Sequence, residues 1–231
     1  MFKILIPFLF VLSFHCINAQ VTLNTNIGED LIDSGMASCE EDENWGKVFN
    51  LADFGVTTNE QFIVRSIEVG INKSYNGANL QYLVYSVDEN FPETVPVLLG
   101  YGGYGLLPQI DSPEIIRFDL AEPIVVPAGV ERIMIAIGKT IDSYNPNSAE
   151  VFIAGTQEDR GESYYIGCRK YYSYISTDDL EVPVPNANFF IRANGEIFSN
   201  YNSGSSTTLS HSVCDNLLKP NTTGCIYGGM G

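Results

Sequence analysis

The sequence predicts an all-β chain: a two-sheet antiparallel sandwich of jelly-roll-like topology. Three observations carry this. Apolar residues recur with a period of two in short runs, the runs are separated by Gly, Pro, Asn and Asp, and no segment sustains a helical period between caps. Strand-like runs at this spacing are the pattern of a sandwich rather than of alternating helix and strand.

The chain opens MFKILIPFLFVLSFHCINAQ, with Lys3 ahead of an apolar run and small residues at Ala19. That layout is a secretory signal peptide, residues 1–19, too short to be a membrane span. A lipoprotein anchor at Cys16 is the competing reading, disfavoured because bulky His15 stands where a small residue is expected. Residues 20–37 are polar without a clear period and are expected to be a lead-in segment along the surface.

The sandwich domain is expected over residues 38–198. Its organising stretch is WGKVFNLADFGVTTNEQFIVRSIEVGIN, Trp45 to Asn72, in which Ile63, Ile67, Val69 and Ile71 share one side with Arg65 out of place. Trp45, next to Val48 and Phe49, is expected in the core. NLQYLVYSV is β-rich on both faces. EIIRFDL turns Ile116, Phe118 and Leu120 inward, and IVVPAGVERIMIAIG is hairpin-like around Pro127-Ala128-Gly129. There Ile133, Ile135 and Ile137 form one wall, Met134 and Ala136 the other. AEVFIAG, SYYIG and NFFIRANGEI are the last strands. Residues 199–231 read as a Ser/Gly-rich linker and a disulfide-stapled tail, or as the start of a further unit.

The full chain carries a formal charge of −16, one unit more negative without Lys3. Such a surface repels phosphate backbones and anionic membranes, so no nucleic-acid partner is expected, and the chain is not membrane-spanning. Four cysteines follow the signal peptide. In an exported chain an even number implies disulfides; three connectivities are open, and Cys39–Cys168 with Cys214–Cys225 is preferred.

Several segments, WGKVFNLADFGV, RSIEVGIN, LQYLVYSV, IVVPAGVERIMIAI and FIAGTQEDRGESYYIGCR, resemble the β-sandwich module near the N-termini of secreted Bacteroidetes proteins, flavobacterial ones especially. The resemblance covers about residues 38–198 and consists of framework positions. It implies a module set ahead of other domains, often in type IX secretion cargo, although the sorting domain of such cargo is absent here. It brings no catalytic residues.

The candidate chemistry is sparse. Gly100–Gly105 reads GYGGYG and matches the dinucleotide fingerprint, but Leu106-Leu107-Pro108 follows instead of a helix, so an aromatic-tipped loop is expected. The acidic run Glu40, Glu41, Asp42 and Glu43 offers hard oxygen ligands for a structural calcium, without a calcium loop's spacing. His211 near Cys214 is an incomplete zinc shell, and no second His is placed to activate a Ser or Thr. Glu158, Asp159 and Glu162 are the carboxylates a hydrolase would use. Tyrosines present a flat apolar face and a polar tip, which suits sugars or proteins. Tyr101, Tyr104, Tyr164, Arg169, Tyr171, Tyr172 and Tyr174 are therefore the candidate ligand-binding residues.

The resulting expectation is a secreted, non-enzymatic module for an extracellular glycan or protein, or a spacer of a larger protein. A loop-carboxylate hydrolase and a matrix or filament protein are the alternatives.

Overall fold

The computed structural model describes residues 19–38, 43–75, 78–140, 151–167, 170–181, 184 and 187–199. They form fourteen strands: β1 (Ala19–Leu23), β2 (Asn26–Ile27), β3 (Ile32–Ala37), β4 (Glu43–Asn50), β5 (Glu60–Ser74), β6 (Asn79–Val87), β7 (Val97–Leu106), β8 (Glu114–Val126), β9 (Arg132–Thr140), β10 (Val151–Gly155), β11 (Glu158–Asp159), β12 (Ser163–Gly167), β13 (Tyr171–Ser176) and β14 (Ile191–Ser199). One six-stranded antiparallel sheet runs β1-β14-β5-β10-β3, with β8 also on β5. The second runs β13-β12-β4-β9-β6-β7, and β2 pairs with β11. The chain is all-β, and most connections cross between the two sheets in a jelly-roll-like manner, the β6–β7 and β12–β13 hairpins excepted.

Period-two patterning builds the core directly. Trp45 and Phe49 of β4, Leu80, Tyr82 and Val84 of β6, and Ile133, Ile135 and Ile137 of β9 line the second sheet's inner face. Ile116, Phe118 and Leu120 of β8, Ile191 and Ala193 of β14, and Leu23 of β1 belong to the same buried cluster, as do β5 residues. The β5 pattern departs from simple alternation at Arg65, where the register shifts against both β8 and β14. A bulge inserts one residue and reverses the faces. The core residues of β5 are consequently Phe62, Val64, Ile67, Val69 and Ile71, and Ile63 is buried outside that cluster.

Residues 20–37 are not a surface lead-in. β1 pairs with β14 from Ala19↔Ile197 to Leu23↔Ala193, and β3 pairs with β10. Short polar edge strands carry little periodicity because one face is wet and few side chains are buried, so the pattern that reveals β5 is missing here. Residues 1–18 of the expected signal peptide 1–19, Cys39, Cys168 and the tail 200–231 lie outside the described residues, and with them both expected disulfides.

Two inner-face positions of β4 are charged, Glu43 and Lys47. Lys47 lies between Trp45 and Phe49 and is wholly buried together with Asp159, to which its ammonium donates. It also donates to the Phe189 carbonyl at 2.6 Å. The Asn26 amide donates to Thr156 Oγ1 (2.8 Å) and the Phe189 carbonyl (3.2 Å), while Gly161 N–H donates to Asp159 Oδ1 (2.9 Å). This cluster ties β4 to β2, to β11 and to the approach to β14.

Burial pulls the Lys47 pKa down to about 8, partly opposed by the Asp159 charge and hydrogen bond. A lowered lysine pKa means that between pH 8 and 10.5 the unfolded chain holds more protons than the folded one, so this group's contribution to stability rises with pH across that window and is flat below it. Lys47→Met strands a buried carboxylate and is expected to cost about 3–5 kcal/mol at pH 7. Urea unfolding from pH 7 to 10 should show the wild-type advantage over this variant widening above pH 8. Adding Asp159→Asn should recover part of the loss.

Candidate loop-end cleft and exposed strand

A concavity lies at one end of the sandwich, between the β6–β7 and β8–β9 connections. It measures about 570 Å³ and is lined by Ser86–Asn90, Val95, Val97 and Gly129–Arg132. The walls are set by hydrogen bonds within the chain. Asp88 Oδ1 accepts from Asn90 N–H (2.8 Å) and from Thr94 Oγ1 (2.7 Å). The Thr94 bond chiefly holds the Asp88 carboxyl below its ordinary range. From β9, Arg132 donates to the Asp88 carbonyl (2.8 Å) and to Glu162 (3.3 Å), fixing the floor against the wall. Asp88, Glu89, Asn90, Glu131 and Arg132 thus converge on a cleft whose other side is the apolar Val95 and Val97.

Behind the cleft, Phe91 closes a second apolar cluster on the outer face of the second sheet with Val48, Val87, Met134 and Tyr164, and Tyr85 and Tyr174 pack against it. The Phe91 ring lies 4.7 Å from Tyr164 and 5.7 Å from Tyr174. Met134 is on the side opposite Ile133 and Ile135, as the alternation requires.

This cluster removes two tyrosines from the candidate surface. Tyr164 is buried and its hydroxyl donates to Glu162 at 2.7 Å; burial first, then that bond, raises its pKa. Tyr174 is likewise raised by burial. Their apolar rings fill the outer face that the alternation of β12 and β13 presents to Phe91. Tyr171 is half-buried with its ring 6.0 Å from that of Tyr165, whereas Tyr172 is 84% exposed. Arg169 lies outside the described residues. The tyrosines therefore do not form one site.

Gly100–Gly105 is not a loop but the body of β7, an edge strand paired only with β6 among the described residues. Its inward glycines make room for neighbours: a Cβ on Gly102 would stand 2.2 Å from Tyr82 Oη, and one on Gly100 2.8 Å from Ile124. Tyr101 is 71% exposed, while Tyr104 is partly exposed with its ring 4.9 Å from that of Phe118. No helix follows, so the phosphate-binding geometry is absent from this segment.

Glu43 is fully buried in β4, opposite Lys139, because the strand alternation carries it inward; Glu40, Glu41 and Asp42 lie outside the described residues. Among the described residues no group of three His, Cys, Asp or Glu could hold a metal ion. The hydrolase carboxylates also diverge: Asp159 is buried on Lys47, Glu162 braces Arg132, and Glu158 is exposed in β11. The sequence reading missed the cleft because its residues sit in two connections that meet only through the β6–β9 pairing.

Comparison with known proteins adds no family. No family model matches, and no curated protein does. Among solved structures, the cysteine protease and lectin-like domains of Cwp84, a surface layer associated protein of Clostridium difficile, match with 15% identity and a TM-score of 0.43, covering 68% of this chain and 32% of that one. A clostridial Cwp84 cysteine protease after propeptide cleavage matches with 16% identity and a TM-score of 0.46, covering 70% and 37%. The chain spans about a third of the length of these proteins. No helix among the described residues is long and apolar enough to cross a membrane.

Phe91→Ala is expected to lower stability by about 3 kcal/mol, the cost of emptying a buried aromatic site, and to speed hydrogen exchange in residues 88–94. Tyr172→Ala should change stability by less than about 0.5 kcal/mol. Chemical denaturation with exchange mass spectrometry checks both.

Proposed function

We propose that this chain is an exported, non-enzymatic β-sandwich module that binds an extracellular glycan in the loop-end cleft. The observation that supports it is the cleft itself. Its size suits a short oligosaccharide, and its polar groups are held by Asp88 and Arg132 rather than left to order on binding. A preformed site avoids much of the entropic cost of fixing loops around a ligand.

Charge narrows the ligand class. Asp88, Glu89 and Glu131 bring three carboxylates to the cleft against the single guanidinium of Arg132. Uronates and sulfated sugars would be repelled, while the hydroxyls of a neutral glycan can donate to carboxylates and accept from the guanidinium. Val95 and Val97 supply an apolar wall for the sugar's C–H face.

Asp88 itself is a poor general acid for glycoside hydrolysis. A glycosidase needs one carboxyl held protonated near neutral pH, yet Asp88 is shifted the opposite way by the Thr94 and Asn90 donors. In this reading the module is secreted and stands ahead of other domains of a larger flavobacterial-type surface protein. Its framework segments support that placement.

Binding to neutral and to uronate-containing oligosaccharides, measured by array and calorimetry, tests the proposal. Neutral glycans are expected to bind without release of reducing ends, and Glu89→Ala with Glu131→Ala should weaken binding about tenfold or more at unchanged stability. Preference for uronates, or turnover, would contradict it.

A further inference from the structure

β7 is the outermost strand of the second sheet, and among the described residues only β6 pairs with it. Among the described residues, its other side pairs with no strand and presents backbone N–H and C=O groups along a ten-residue strand. Proteins blunt such edges with charge, proline or shortness. β8 carries Arg117, Asp119, Glu122 and Pro123, β3 carries Asp33, and β1 has five residues; β13 is uncharged but only six residues long.

β7 carries none of these devices. Residues 95–110 contain no Asp, Glu, Lys or Arg, in a chain of net charge −16, and Pro96 and Pro108 bracket the strand without interrupting it. Val97, Leu98, Tyr101 and Leu106 are 62%, 46%, 71% and 65% exposed. Register shifts at Leu99 and Tyr104 place Leu99 against the core and Tyr104 on Phe118. Between them Gly100–Gly103 runs in continuous register with β6, and Tyr101 is its only side chain.

We propose that this edge is a two-fold interface between two copies of the chain, with β7 antiparallel to the β7 of its mate in one continuous sheet. Charge selects the occupant. A basic partner would be drawn to the acidic remainder of the surface, whereas two copies repel everywhere except along a neutral strip, and β7 is such a strip. A two-fold contact uses the same patch on both copies, and the nearly bare Gly100–Gly103 backbone lets the strands approach. Tyr101 lies opposite the outward-facing Leu83. A two-fold axis normal to the sheet keeps outward residues facing outward ones, so Tyr101 meets Tyr101 or Gly103 of the mate. The interface does not rest on the glycan reading, although Val97 belongs to both surfaces.

Sedimentation and light scattering of the purified protein over a wide concentration range test this. A reversible dimer is expected, strengthened by added salt because salt screens the repulsion of two acidic bodies, with slowed hydrogen exchange at Gly100–Gly103 in the dimer. Tyr101→Glu, at an exposed position, should weaken the dimer at least about tenfold by setting like charges at the axis, while Tyr172→Glu on the opposite edge strand should not. A monomer at all concentrations, a dimer weakened by salt, or one indifferent to Tyr101→Glu would overturn the proposal.

Discussion

A lysine and an aspartate withdrawn completely from water hold this fold to one arrangement. Removing two charges from solvent costs several kcal/mol each and is tolerated only when the partners and their remaining polar valences are satisfied. Besides its bond to Asp159, Lys47 donates to the Phe189 carbonyl, and Asp159 also accepts from Gly161 N–H and the Asn26 amide. These groups come from separate strands and connections. The ion pair therefore specifies how the N-terminal strands and the β10–β12 connection close over the second sheet.

With the sheets fixed, alternation along each strand decides what faces outward. On the first sheet, Glu68 accepts from Arg117 and Arg192 across three neighbouring strands, and Asn194 extends the ladder to Thr22. That face is satisfied within the chain. On the second sheet, Phe91 covers the tyrosines near β12 and β13, while the far side ends in the uncovered β7. Residues 88–94 that carry Phe91 also form the cleft wall, so the aromatic cluster and the cleft are one construction: the first anchors the second.

Much of this was legible in the sequence. Alternation identified the inner walls of β8 and β9 and the burial of Trp45, since burying one face of a strand writes a period of two. Four features were not legible, each for a different reason. Arg65 conceals a bulge, so Ile63 looked core-facing when Val64 is. β7 was hidden because its inward positions are glycines filled by Tyr82 and Ile124, which leaves no apolar alternation to read. The tyrosines were ambiguous because the same side chain suits a core and a binding surface; only Phe91, distant in sequence from Tyr164 and Tyr174, decides between them. The cleft depends on long-range pairing that no local pattern encodes.

The central claim is that recognition resides at the loop end rather than on the tyrosine-rich strand β13. Backbone amide shift mapping during titration with a neutral oligosaccharide tests it most directly. The account expects perturbations confined to Ser86–Asn90, Val95, Val97 and Gly129–Arg132. Perturbations centred on Tyr171–Ser176, with the loop end unmoved, would contradict it.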